Sequence, residues 1–268
     1  MKNVSPLNQK NAIKSVAFVF ELDKEVDEKT ITSILEWYST DEDFKSIFTV
    51  EQPMQSVNIQ IDGNNQQVTS SNISGVNYIK LDKDNKNVEW SLRIDARAIT
   101  IACNLYTRWD EVWKFTLENL KKIVAQMDSF SLTKIVLEYL DEFNIFGTNG
   151  NEWLGQLFKE DSPFMPKFIR TMNAPWHTHN GFITDEKDKA VSRRTVNTVN
   201  ITYQKTNTTS DILAVQTQHA SSFYDKFELS VASMQNIDTV MQYSHLENKK
   251  LFNNLLSSEM LDEINLKV

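Results

Sequence analysis

The chain is poor in the residues that build nucleotide and metal sites. It has 268 residues with 6 glycines, and none of these falls in GxGxxG or GxxxxGK[ST] spacing, so a phosphate-cradling loop of either kind is absent from the sequence. A single cysteine, Cys103, excludes an internal disulfide and any CxxC ligand pair. It sits between Ile101 and Leu105, and reads as a small buried hydrophobe rather than a reactive thiol. There are 4 histidines, no HExxH and no GxSxG, which removes the common signatures of zinc peptidases and serine hydrolases. No run approaches the roughly 18 apolar residues needed to cross a bilayer. The first fourteen residues are polar where a signal peptide would be apolar. A cytoplasmic protein without a membrane segment is therefore expected.

What is there is an ordinary globular balance, 40% hydrophobic and 24% charged, with a formal net charge of -8. The acidic balance disfavours nucleic acid and anionic lipid as partners and suits a basic protein partner. The length allows one large core or two smaller ones.

Hydrophobic periodicity places the elements. Ala12 to Leu22 reads as a strand, and Ile31, Ile34, Leu35 and Tyr38 follow at helical spacing. A short helix over 41–48 and an extended run through Val57, Ile59 and Ile61 come next, and Asp62-Gly63 marks a turn. Val76 to Leu81 and Val88 to Ile94 form a hairpin around the polar cluster at 82–87, and Ala98 to Tyr106 adds a strand. Thr107 with Asp110 suggests a helix N-terminal cap, before a long amphipathic helix whose stripe is Trp109, Val112, Trp113, Leu120, Ile123, Val124 and Met127. Ile135 to Phe146 is extended. Gly147-Thr148-Asn149-Gly150 breaks the pattern. Beyond it a short helix holds Trp153 to Phe158, strands are expected at 177–183, 195–204, 212–219 and 227–233, and the C-terminus is helical. The expectation is an α+β fold of two similar halves, each mainly antiparallel sheet packed on long amphipathic helices. The halves are 1–147 and 148–268, or one continuous domain.

The stretch WSLRIDARAITIACNLYTRWDEVWKFTLENL (90–120), the strand at 135–143 and YSHLENKKLFNNLLSSEMLDEI (243–264) carry a resemblance. Its cues are a strand ending in Tyr106, the Thr107/Trp109 helix entry, and a late helix with His245, Phe252 and a Ser/Glu turn at 257–259. On these the chain resembles a sporadically distributed bacterial protein family of similar length and unassigned function. The resemblance implies a fold and brings no catalytic residues with it.

Candidate site residues are few. In PWHTHNGF (175–182), His177 and His179 alternate and so share one face of a strand, as in several metal hydrolases. A divalent metal would need a third ligand, for which His245, Asp185 and Glu186 are the candidates. The competing expectation is an edge strand in which Trp176 and Phe182 pack and the imidazoles meet water or a neighbouring strand. Arg193 and Arg194, with Lys187 and Lys189, form the one compact basic stretch, interleaved with Asp185, Glu186 and Asp188.

The reading that follows is a non-catalytic protein-interaction module without a cofactor, a partner or neutralising component of a bacterial conflict or phage-defence system. Trp176, His177, His179, Arg193 and Arg194 are its interaction candidates, and the partner would be encoded by a neighbouring gene. A homo-oligomer is compatible with it. The alternatives are a metal-dependent hydrolase at His177, His179 and His245, and a small-ligand-binding protein.

Overall fold

Alternating apolar residues make the strands of this chain and 3.6-residue apolar stripes make its helices. A computed structural model describes residues 3–8, 11–62, 65–146, 151–172, 174–187, 191–207 and 209–266, with the backbone alone over 57–62, 65–71 and at 187. The elements in chain order are β1 (Val4–Pro6), β2 (Ile13–Leu22), α1 (Glu28–Thr40), α2 (Glu42–Ile47), β3 (Val50–Asp62), β4 (Asn65–Leu81), β5 (Val88–Asp95), β6 (Ala98–Cys103), α3 (Trp109–Val124), β7 (Phe130–Ile145), α4 (Glu152–Leu157), β8 (Trp176–Lys187), β9 (Ser192–Gln204), β10 (Asp211–Leu229), α5 (Met234–Leu255) and α6 (Ser258–Glu263). Helices combined with a large, mainly antiparallel sheet make the fold α+β. Among the described residues no helix is long and apolar enough to cross a membrane.

The chain forms two compact units, each assembled from separated segments. One comprises 17–135 and 223–236, the other 1–16, 136–222 and 237–268. The 147–150 break, like residue 63 of the expected turn, lies outside the described residues.

In the 17–135 unit the strands follow the order β3-β4-β5-β6-β2-β7. Phe18, Phe20, Leu92, Ile94, Ile99 and Ile101 are buried, as is the stripe of α3. Trp109 and Trp113 stack at 5.8 Å, and both approach Phe18. The expected cap at Thr107 and Asp110 does not form: Arg108 occupies the cap position without a side-chain bond, and the Thr107 hydroxyl donates to Glu111 at 2.7 Å. A glutamate one turn further on captures the hydroxyl before the backbone can. The helix also stops at Val124, short of Met127. Cys103 is fully buried, and burial pushes its thiol up to about 11. The thiolate that would react is thereby suppressed.

In the other unit the order is β7-β10-β9-β8, with β1 pairing β7. Strands β8 and β9 pair antiparallel without a break from Trp176↔Tyr203 to Lys187↔Ser192. An apolar core gathers Val199, Ile201, Leu213 and Val215 from the sheet with Trp153, Leu157, Leu251, Phe252 and Leu255 from α4 and α5. The strand expected at 227–233 is the end of β10, which continues through the polar 222–226 stretch; 231–233 is a 3₁₀ turn.

Candidate functional site

The two faces of the β7-β10-β9-β8 sheet differ in chemistry, and alternation decides which residue belongs to each. On β9, Arg193, Thr195, Asn197, Val199, Ile201 and Tyr203 are buried in regular alternation. On β10, Asp211, Leu213, Val215, Thr217, His219 and Ser221 are buried likewise. This inner face is apolar at one end and polar at the other. Helix α5 matches it, with buried Ser244 and Asn248 followed by Leu251, Phe252 and Leu255.

The polar end holds several side-chain clusters. His219 on β10 bridges the Asn197 side chain on β9 at 2.7 Å and the Asn248 side chain on α5 at 3.2 Å. Asn248 also accepts from the Thr217 hydroxyl at 2.7 Å. The Thr195 and Ser221 hydroxyls bond one another at 2.8 Å. Arg193 pairs with Glu186, directly opposite on β8, and its guanidinium lies 4.7 Å from the ring centre of Tyr243 on α5. Burial lowers the His219 pKa, partly offset by the Asn248 hydrogen bond and by Glu247. Burial, with Lys249 and His219 nearby, lowers His245 to about 3. It bonds the buried Tyr139 hydroxyl at 3.0 Å. Burial raises the Tyr243 pKa, and its hydrogen bond to Glu186 adds to the shift.

An imidazole held neutral so far below its ordinary range is a poor general base, and His219 contacts amides rather than a nucleophile. The bonds from Asn248 to Thr217 and His219 fasten α5 to the sheet. Asp141 on β7 lies fully buried with Oδ2 unpartnered, and burial raises its pKa to about 8.

The outer face carries His177, His179, Ile183 and Asp185 from β8 and Arg194, Val196, Thr198 and Asn200 from β9. Ile183 (61% exposed) and Val196 (39% exposed) stand directly opposite one another. Arg194 clasps Asp185 through two bonds of 2.8 and 3.1 Å, and His179 bonds the Asn200 side chain. No family model and no curated protein matches this chain.

The candidate residues thus separate by face. His177, His179 and Arg194 share the exposed outer face, whereas Trp176 and Arg193 are buried on the inner one at 7% and 3% exposure. The indole stacks on Trp153 and tilts against Tyr203. His245 reaches Tyr139 on the inner side, so the sheet itself separates it from His177 and His179. Of the carboxylates weighed as a third ligand, Asp185 is on the histidines' face and holds Arg194, while Glu186 is on the opposite face and holds Arg193. Among the described residues no group of three or more His, Cys, Asp or Glu is placed to hold a metal. Ile183 and Val196 were not singled out from the sequence, although a signal exists. Each is an apolar residue on the polar phase of its strand, and register makes them neighbours.

Proposed function

We propose that the protein is a non-catalytic interaction module that binds another protein through the outer face of the β8–β9 pair. The observation that carries this reading is the exposed Ile183/Val196 couple, flanked by the Arg194–Asp185 pair, with His179 and His177 further along the same face of β8. An apolar centre with a polar rim is the composition of a protein contact. The partner is a basic protein encoded by a neighbouring gene, which the net charge of -8 favours. In this role the chain is a cytoplasmic partner or neutralising component of a bacterial conflict or phage-defence locus, and belongs with the sporadically distributed family it resembles. On the same reading the two units are variants of one plan, antiparallel strands backed by a long amphipathic helix, α3 in one and α5 in the other.

Co-expression with the product of the adjacent gene tests this directly. A stable complex is expected on size-exclusion chromatography, and Val196→Lys should weaken it by at least about tenfold, as burial of a charge at a contact centre implies. The absence of a complex, or an affinity untouched by Val196→Lys, would refute the assignment.

A further inference from the structure

We propose that β8 is a self-pairing edge, at which two copies of this chain join antiparallel about a two-fold axis through Gly181 and continue the sheet. The proposal concerns the backbone edge of β8 rather than its outer face, although His177, His179, Ile183 and Asp185 stand at both.

The first support is the contrast between the terminal strands. Strand β3 carries Pro53 and register shifts at Met54/Gln55 and Asn58/Ile59, devices that blunt an edge against pairing. Strand β8 runs 12 residues in unbroken register with β9, has no proline, and holds its single lysine at its last position. Among the described residues no strand lies beyond it. Phe164 contacts Asn180 and Phe182 on the inner phase of the strand, and a long, regular edge of this kind is a template for another strand.

Gly181 is the second support. A Cβ built there would meet Asn197 O at 3.5 Å and Thr198 Cγ2 at 3.8 Å, ordinary contacts. Among the described residues nothing crowds a Cβ in the middle of β8, where glycine weakens the strand. A glycine so placed suits the close approach of another backbone.

The third support is the order of side chains along the strand. His177 and His179 occupy its first half, and Asp185 and Glu186 its second. Parallel pairing would set like against like. Antiparallel pairing about Gly181 keeps inner residues opposite inner ones and sets His177 against Asp185 of the second copy, His179 against Ile183, and Thr178 against Thr184. In the pair, Thr178 stands opposite Thr184 and Trp176 opposite Glu186 of the other copy, inner residue against inner residue.

Sedimentation equilibrium of the wild-type chain and of Gly181→Lys tests the pairing. The lysine has room in the monomer, but two of them would meet at the axis, and like charges directly opposite destabilise a strand pair. The wild type should show a reversible monomer–dimer equilibrium in the micromolar range. Gly181→Lys should sediment as a monomer with an unchanged melting temperature, and amides of 176–187 should gain exchange protection with concentration in the wild type alone. A wild type that stays monomeric throughout that range overturns the proposal, as does a folded Gly181→Lys protein that dimerises as tightly. Val196→Lys, one strand in from the edge, should leave the dimer intact, which separates this outcome from that of the partner experiment.

Discussion

Asp141 makes a contribution to the pH dependence of stability that is opposite in sign to that of the buried His245. Its carboxyl titrates at about 8 in the folded chain against an ordinary 3.8. Below about pH 4 both states are protonated and the group adds no pH dependence. As pH rises from there toward 8, the unfolded chain releases the proton while the folded chain keeps it, so the contribution of Asp141 to stability declines across that window and then levels. Asp141→Asn removes the linkage. Denaturant titrations should find the variant more stable at pH 7 by on the order of 2–4 kcal/mol, the gap closing toward pH 4. Equal pH profiles for the two proteins would show that the carboxylate is relieved by another route. Nothing in the pattern of IVLEYLDEF announces this group, because Asp141 stands on the apolar phase of β7 with no partner to betray it. Arg193 and Arg194 illustrate the same limit. Adjacent residues on a strand face opposite ways, so one of the pair had to enter the core. Only the phase of Thr195, Asn197 and Val199 decides that it is Arg193.

At the scale of elements, helix α5 is held to the sheet by polar clasps at one end and apolar packing at the other. Asn248 is the centre of the polar end, accepting from Thr217 and bonding His219. Asn248→Ala strands both of these buried groups and should destabilise the protein by about 2–3 kcal/mol in chemical denaturation, the cost of leaving buried polar atoms unpaired. A loss within the scatter of surface substitutions would mean that the network is ornamental. Most elements were readable in advance, since α3, β2, β7 and β9 announce themselves by clean periods. Those that were not share a cause, a long-range contact overriding a local signal. The far end of β10 runs through SSFYDKF, whose local composition suggests a loop, and β8 extends through the charged DEK that reads as solvated coil. Strand pairing supplies what propensity withholds.

For the whole molecule, the interleaving of segments has a mechanical corollary. One unit draws on residues before 17 and after 236 as well as on 136–222. A fragment spanning 148–268 therefore lacks β1 and the end of β7, and should fail to show a cooperative thermal transition or dispersed amide spectra when expressed alone. A well-folded fragment would count against the division into these units. Sequence order cannot convey such an arrangement, because β2, β7 and β10 each begin in one unit and end in the other.

The sealed thiol of Cys103 has a practical reach. With the chain's one sulfhydryl shielded and its ionisation suppressed, a cysteine introduced at the surface becomes the sole quick target for maleimide dyes or spin labels. Distances within or between copies can then be measured without first erasing the native residue.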